Sequence, residues 1–350
     1  MGGMGCALSL AKQGFTNIHV WESASRLGEV GAGINITPNL SRILARWGVL
    51  DIATSEAVPL SGSSVLKCAT DEILTSVDFT YIQKEFGHPF YVVHRSGLQK
   101  CLLQGVTDIG VVEIHLNTLV TEYDFDKIRI FTKPRSNCEG MWIQADVILA
   151  ADGVKSKARE DLLGRRGEVA TGSKKEMLET FHDFCPRVQK LLALVPEGEV
   201  LEWKLRVHEP LSHWVDGCIA LVGDACHPTL PHLAQGAAQA IEDAAVLGVV
   251  LAKLESKNDI PKALAVYQAL RKPRADWAVA MAAKNGNSLH LAAGKDQEAR
   301  DAAFRAAYTS GGENPDKQID RGVQRILYAH DCAQEAEEQY GGLFETIETM

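Results

Sequence analysis

The chain of 350 residues is long enough for one large or two modest domains, and its 46% hydrophobic and 23% charged residues are typical of a globular protein. The net charge of −9 argues against a nucleic-acid-binding surface, which normally carries a basic stripe. The sequence has no run of 18 apolar residues and no signal-peptide pattern, so it predicts neither a membrane span nor secretion. Eight scattered cysteines without a C-x-x-C pair, and 11 histidines without an H-E-x-x-H motif, predict no disulfide framework and no metal site. We therefore expect a cytoplasmic protein with reduced thiols.

The first 22 residues predict a helix followed by a strand. A Gly-rich start leads into apolar residues at helical spacing, Gly14 ends the helix, and Ile18–Trp21 forms a short strand that ends at Glu22. A carboxylate at a strand end, about 20 residues after a Gly-rich turn, is how a dinucleotide-binding fold holds a ribose hydroxyl. Glu22 is therefore a candidate ligand-binding residue, with an ordinary exposed glutamate as the alternative.

The middle of the chain predicts short strands and two helices. A helix begins at Pro38, and alternating segments predict strands at 65–68, 73–79 and 91–93. A helix opens at His94-Arg95-Ser96, and four segments with polar turns between them predict antiparallel strands at 111–116, 119–125, 127–132 and 141–143. Residues 173–195 predict one amphipathic helix that is interrupted at Pro186.

A buried strand at 146–151 runs into the octet DGVKSKAR, residues 152–159. Gly153 permits a sharp turn, and Ser156 can cap the following helix. Arg159 can pair with Asp152 and so fix the loop. These residues predict an ordered turn at the end of a strand.

Residues 218–247 predict a strand, a tight acidic turn and a helix. The turn lies at Gly223-Asp224 and the helix follows Gly236, so a ligand's oxygens could meet backbone N–H groups between them. Asp224 can accept hydrogen bonds from a sugar hydroxyl, and Gly236 lets the backbone approach a flat ring because it has no Cβ. The alternative is an ordinary strand–turn–helix unit of an α/β protein.

The C-terminal part predicts a long helix from 265, a polar loop or linker at 294–320, and a final surface helix at 326–340. Arg271 and Arg274 are expected to stabilise helix packing rather than to contact a ligand.

Two motifs carry a resemblance to a known family. GDACHPTLPHLAQGAAQAIEDA, residues 223–244, resembles the second FAD-contacting motif of the flavin-dependent aromatic hydroxylases, roughly GDAxHxxxPxxxQGxxxAxEDA. The sequence of this motif is especially similar to that of salicylate-hydroxylase-like monooxygenases. The octet 152–159 matches the D-G-x-x-S-x-x-R fingerprint of the same family, and the two motifs occur in the family's order.

The resemblance implies an α/β fold: a Rossmann-like FAD-binding domain of the glutathione-reductase type, with a reduced β substrate domain and C-terminal helices. It implies a monooxygenase in which NAD(P)H reduces FAD and one oxygen atom of O₂ passes to a small aromatic, salicylate-like substrate.

No catalytic side chain is implied, and His227 and His232 are expected to stabilise their loop. Arg42 is implied as a phosphate neutraliser, with a solvated helix arginine as the alternative. The implied cofactor-binding residues are Gly2, Gly3, Gly5, Glu22, Gly31, Ala32, Gly33, Arg42, Arg95, Asp152, Gly153, Arg159, Gly223, Asp224, Pro231, Gly236 and Ala237.

The chain also departs from the family pattern. It begins inside the G-x-G-x-x-G fingerprint, with Gly3 at the place of the third glycine, so we expect a truncated N-terminus. The segment between Arg159 and Gly223 is shorter than in the family, so we expect the substrate sheet to be deleted around 171–173. The predicted domains are a first FAD-binding part with inserted strands (1–172), a substrate-domain remnant with a return strand (173–217), a second FAD-binding part (218–292) and a C-terminal loop and helix (293–350). A non-catalytic remnant that binds FAD weakly or not at all is the alternative function.

Overall fold

The computed structural model describes residues 1–27, 33–136, 139–163, 172–196, 199–200 and 205–347. The α-helices are α1 (Gly2–Lys12), α2 (Pro38–Arg46), α3 (Leu50–Thr54), α4 (Ile82–Phe86), α5 (Arg95–Ile109), α6 (Lys157–Leu163), α7 (Lys174–Thr180), α8 (Pro186–Ala193), α9 (Gly236–Ala252), α10 (Ile260–Leu289), α11 (Lys295–Ser310), α12 (Arg321–Tyr328) and α13 (Cys332–Thr346). The strands are β1 (Ile18–Trp21), β2 (Gly33–Ile36), β3 (Val58–Pro59), β4 (Gly62–Leu66), β5 (Ile73–Asp78), β6 (Tyr91–His94), β7 (Val112–His115), β8 (Thr118–Asp124), β9 (Arg129–Pro134), β10 (Met141–Gln144), β11 (Ile148–Ala150), β12 (Gly172–Ser173), β13 (Glu199–Val200), β14 (Val215–Asp216) and β15 (Ile219–Leu221).

Parallel strand pairs lie beside the central helices. β1 pairs with β7, and β11 pairs with β15, both in parallel, while β14 adds to β15 in the antiparallel direction. The prediction that residues 111–116 form an antiparallel strand is therefore wrong. A long crossover that includes α5 separates β1 from β7, and such a crossover is what a parallel pair requires. Helix α1 packs against both β1 and β11.

Helices α1 and α9 pack closely because glycines lie at their contact. A Cβ at Gly5 would lie 2.7 Å from Ile241 Cδ1, and a Cβ at Gly248 would collide with Ser9 Oγ and lie 3.2 Å from Ser9 Cβ. Seventeen-residue α9 is buried over most of its length, and α10 and α13 also pack on it. The main hydrophobic core therefore surrounds α9.

The remaining sheets consist of antiparallel strands. β8, β9 and β10 make a three-stranded meander, as predicted for 119–143, and β6 lies between β2 and β3. β4 pairs with β5, and β12 pairs with β13. Residues 201–204 of the predicted return strand lie outside the described residues, and 205–214 form no strand.

Two expectations for the C-terminal part are wrong. Residues 295–310 form α11 rather than a linker, because alanine, glutamate, glutamine and arginine favour a helix even where the overall composition is polar. Phe304 is buried and α11 packs on β5. The predicted final helix is divided into α12 and α13 by residues 329–331, where Asp331 accepts a hydrogen bond from the Gln334 N–H and caps α13.

None of the helices in the described ranges combines the length and the apolar character needed to cross a membrane.

We predict that Gly248→Ala lowers the free energy of unfolding by about 1–3 kcal/mol, because the added methyl group must push α1 away from α9. The matched control is Gly341→Ala in α13, where a Cβ would meet nothing within 4 Å. That control should be neutral or stabilising by up to about 1 kcal/mol, because alanine favours a helix. Chemical denaturation measures both variants, and equal effects of the two substitutions would contradict the packing argument.

Candidate cofactor-binding site

The candidate site lies where the carboxyl ends of β11 and β15 meet the N-terminus of α1. A Cβ at Gly2 would lie 3.4 Å from Val222 Cγ1 and 3.5 Å from Ala151 Cβ, so α1 begins between the segments that follow the two strands. A Cβ at Gly3 would lie 3.6 Å from Ala151 Cβ. Ligands of α/β proteins bind at this edge of a parallel sheet, where helix N-termini present N–H groups.

The turn after β15 needs glycine at its first position. Gly223 has φ +61°, and a Cβ there would lie 3.0 Å from Ala240 Cβ in α9. Residues Gly223–Ala225 form a single 3₁₀ turn. The turn therefore lies tightly against the first part of α9, and the following residue, Asp224, is directed out of the core and is exposed.

The carboxylate of Asp243 in α9 holds this turn in place. It accepts hydrogen bonds from Gly223 N–H at 2.9 Å, from His227 Nε2 at 2.6 Å and from Arg271 Nε at 2.9 Å. Burial alone would raise the pKa of the Asp243 carboxyl, but His227 and Arg271 outweigh burial and hold that pKa below its ordinary value. Burial opposes the charged form of His227, yet Asp243 raises the pKa of His227 well above its ordinary value. The prediction of a loop-stabilising His227 agrees with these contacts.

Glu242, the neighbour of Asp243, anchors a second set of buried donors. Its carboxylate accepts from Arg271 Nη1 at 2.7 Å, from Arg274 Nε at 2.7 Å and from Asn39 Nδ2 at 2.6 Å. Arg271 also donates to Gln239 Oε1 at 2.7 Å. This network of paired charges joins α2, α9 and α10, and it confirms that the two arginines serve helix packing.

The octet at 152–159 forms the second loop of the site. Gly153 has φ +79°, Asp152 Oδ2 accepts from Lys157 N–H at 2.7 Å, and Ser156 Oγ accepts from Arg159 N–H at 2.9 Å. The predicted Arg159–Asp152 pair does not form. Arg159 Nη1 donates instead to the Ala225 carbonyl at 3.0 Å, because Asp152 is occupied by the backbone of its own loop. Arg159 therefore joins the two motif loops.

Three charged side chains act electrostatically on the amino group of Met1, which precedes α1. Burial lowers the pKa of the Met1 amino group, Arg95 lowers it further, and Glu22 and Asp224 act in the opposite direction. Desolvation raises the pKa of the Asp224 carboxyl, while His227 and Arg95 oppose that shift.

Arg95 and Glu22 differ in the hydrogen bonds that their side chains make. Arg95 begins α5, is exposed, and makes no hydrogen bond or ion pair with any part of the chain that the structure describes. Glu22 Oε1 accepts from Ala24 N–H at 2.8 Å, which orients the carboxylate just beyond β1. Gly33, paired with His94 in β6, lies next to Arg95 along the neighbouring strand.

The loop before α9 leaves helix N–H groups available. Pro231 opens a 3₁₀ turn that ends at Ala234, which has φ +54°, and α9 then begins at Gly236. Within the described ranges, no side chain caps the N-terminus of α9, and none caps that of α1. Ala237 is partly exposed at the first turn of α9. Uncapped helix N-termini of this kind bind anionic or electron-rich groups.

Other predicted site residues lie elsewhere or have another role. Gly31 and Ala32 lie outside the described residues. Arg42 donates to the carbonyl groups of Phe86, Tyr328 and His330, so the structure does not support its predicted phosphate contact. Gly5 faces α9 and serves helix packing. The network around Glu242 and Asp243 was not predicted, although the adjacent carboxylates and the R-x-x-R spacing at 271–274 were visible in the sequence.

A comparison with protein families places most of the chain in one family. The model described as "FAD binding domain" matches residues 1–191 and 187–282. FAD-dependent monooxygenase atnJ of Arthrinium sp is 28% identical over 90% of this chain and 89% of its own length. The 3-hydroxybenzoate 6-hydroxylase of Polaromonas naphthalenivorans is 28% identical over 83% of this chain and 86% of its own.

These two alignments extend over 388 and 362 positions, more than the 350 residues of the chain. The relatives therefore carry internal residues without a counterpart here. Among solved structures, a salicylate hydroxylase in complex with its substrate has a TM-score of 0.74 at 19% identity and covers 100% of this chain and 97% of that one. This likeness confirms the predicted α/β fold with a Rossmann-like FAD-binding domain.

We predict that Glu242→Gln destabilises the protein by about 3–5 kcal/mol at neutral pH, because buried Arg271 and partly buried Arg274 both lose the charge of this carboxylate. Burial would raise the pKa of Glu242, but Arg274 and Arg271 outweigh it and hold that pKa far below its ordinary value. The stabilisation is therefore complete above the ordinary glutamate pKa of about 4.3 and declines as the pH falls below it. Denaturation of the wild type and the variant from pH 7 to pH 3 should show their difference narrowing in acid.

Glu338→Gln is the matched control for this experiment, because Glu338 is exposed on α13. It should leave the free energy of unfolding within about 0.5 kcal/mol of the wild type. A difference between wild type and Glu242→Gln that grows as the pH falls would contradict the assigned charge state.

Proposed function

The chain belongs to the FAD-dependent aromatic monooxygenases that share the matched FAD binding domain, and we propose that it hydroxylates a small hydroxylated aromatic carboxylate with NAD(P)H and O₂. The observation that carries this proposal is the pair Asp224 and Arg95, two charged and exposed side chains beside the N-terminus of α1. The substrate class follows from the relative that is named a 3-hydroxybenzoate 6-hydroxylase.

The residues at the site fit FAD. Asp224 can accept hydrogen bonds from the hydroxyl groups of a sugar or ribityl chain, and Glu22 can do the same at the end of β1. Arg95 brings a charge that is not used within the described residues, and it suits a phosphate or the polar edge of a ring. When bound, FAD supplies the redox chemistry between the nicotinamide, O₂ and the substrate.

The protein's part is to bind, orient and hold charge at fixed positions. The uncapped N-terminus of α9 can donate N–H groups to a polar ring edge, and Gly236 permits the close approach. Buried Asp243 keeps the turn at Gly223 in place, so Asp224 needs no reorganisation when a ligand arrives. His227 is enclosed by its bonds to Asp243 and does not reach the surface, so we assign it no proton transfer to the substrate.

A second candidate is a non-catalytic FAD-binding protein of the same family. The observation that favours it is the set of internal residues that the relatives carry and this chain lacks. FAD binding is common to both candidates, so binding and turnover must be measured separately.

We predict that the purified chain binds FAD, and that Asp224→Ala weakens this binding by about 10- to 100-fold because it removes a charged acceptor. Flavin fluorescence and the visible spectrum after desalting measure the binding. Asp216→Ala is the matched control, since Asp216 is an exposed aspartate in β14. If the wild type, Asp224→Ala and Asp216→Ala bound FAD with equal affinity, the assignment of Asp224 to the site would be wrong. A wild-type protein that is colourless after desalting would refute the cofactor assignment.

We predict that the FAD-loaded enzyme oxidises NADH or NADPH faster in the presence of 3-hydroxybenzoate or salicylate, and that the product gains one oxygen atom. Mass spectrometry detects the product, and catalase reveals any hydrogen peroxide that is released instead. Benzoate is the control compound, because its ring lacks the activating hydroxyl group. FAD binding without any oxygenated product would favour the non-catalytic candidate.

A further inference from the structure

Two histidines and one glutamate on the parallel pair β1 and β7 form a compact triad of nitrogen and oxygen ligands. The register pairs His19 with Glu113 and Trp21 with His115, so all four side chains project from the same face of the two strands. His19 Nδ1 lies 3.1 Å from His115 Nε2 and 3.5 Å from Glu113 Oε2, and His115 Nε2 lies 3.8 Å from the same oxygen.

These distances match one face of a tetrahedral metal site. Zinc–nitrogen bonds of 2.0–2.1 Å with tetrahedral angles place neighbouring ligand atoms about 3.3 Å apart. The three measured separations, 3.1, 3.5 and 3.8 Å, lie close to this value. Three protein ligands would leave the fourth position open to solvent, and His19 and Glu113 are exposed, so an ion can reach the triad.

A neighbouring side chain fixes the tautomer that metal binding needs. His19 Nε2 donates to Asn17 Oδ1 at 3.0 Å, so the lone pair of the neutral ring lies on Nδ1, which faces the other two ligand atoms. Metal-binding histidines usually donate their second ring nitrogen in this way. Without a metal, His115 Nε2–H can donate to His19 Nδ1, and an ion bound at His115 Nε2 requires the other neutral tautomer, with the proton on Nδ1.

We propose that His19, Glu113 and His115 bind a divalent transition-metal ion of the zinc type, and that the ion braces β1 against β7. Two imidazoles and one carboxylate favour Zn²⁺, Cu²⁺ or Ni²⁺ over Mg²⁺ and Ca²⁺, which prefer oxygen ligands alone. None of the three ligands is assigned to FAD, although Glu22 N–H donates to the His115 carbonyl at 3.0 Å, and the metal site does not depend on the proposed function.

The buried group Cys226, His227 and Asp243 has similar spacing but a different character. Asp243 is already bonded to Arg271 and to Gly223 N–H, and His227 Nε2 is bonded to Asp243. A cation there would meet the charge of Arg271 and would have to break three buried hydrogen bonds. An ion bound by His19, Glu113 and His115 would neither meet the charge of Arg271 nor break these buried hydrogen bonds.

Isothermal titration calorimetry of the tag-free chain with Zn²⁺ tests the proposal, because it measures the stoichiometry and the affinity of binding. We expect one Zn²⁺ per chain in the wild type and none in the His19→Ala, His115→Ala double variant. Asn17→Ala should weaken binding by about tenfold, because the tautomer is no longer fixed. His182→Ala is the matched control, since His182 is exposed and distant from the triad in sequence, and it should bind as the wild type does. Binding that persists in the double variant would overturn the proposal.

Trp21 provides a second readout that is independent of enzyme activity. Its ring lies 5.2 Å from the ring of His115 and 5.6 Å from that of His19, so Cu²⁺ at the triad should quench its fluorescence. Trp21→Phe should lose this quenching and keep the zinc stoichiometry. Zn²⁺ should also raise the melting temperature of the wild type and not that of the double variant. Quenching that is unchanged in the double variant would place the ion elsewhere.

Discussion

The buried carboxylate of Asp243 is the constraint on which the candidate site depends. A charge that is removed from water must be paired and hydrogen-bonded, and Asp243 meets this requirement with a histidine, an arginine and the N–H of Gly223. The Gly223 N–H and His227 belong to the turn after β15, and Arg271 belongs to α10. The requirement of one carboxylate therefore fixes α9, α10 and the turn after β15 relative to one another.

Glu242, the other buried carboxylate, links further helices to α9 in the same way. Through Asn39 it reaches α2, and through Arg274 it reaches the end of α12, where Arg274 donates to the carbonyl groups of Ile326 and Leu327. The accessible groups of the site, Asp224 and the start of α9, are thus placed by a rigid interior rather than by loop contacts alone. Only small adjustments are needed when such a preorganised surface binds a ligand.

Much of the fold was predictable, and the exceptions have physical causes. The strand–turn–helix unit around Gly223 was predicted because glycine, apolar spacing and a long motif agree with one another. The direction of β7 was not predicted correctly, because it depends on pairing with β1, which lies 94 residues earlier in the chain. Arg159 was assigned to Asp152, its neighbour in sequence, whereas it donates to the Val154 carbonyl in its own loop and to the Ala225 carbonyl in the second motif loop. The triad on β1 and β7 could not be recognised before the register of the two strands was known.

The contacts of the C-terminal segment have a consequence for how the molecule opens. Arg42 binds three carbonyl groups, two of them at residues 328 and 330, and Cys332 Sγ lies 3.8 Å from the Glu242 carbonyl. Fraying of α12 or α13 would therefore remove two of the three carbonyl acceptors of Arg42 and both carbonyl acceptors of Arg274, and would open the interior around Glu242. Helices α12 and α13 therefore belong to the same cooperative unit as α9, and amide hydrogens in these helices should exchange through one common opening.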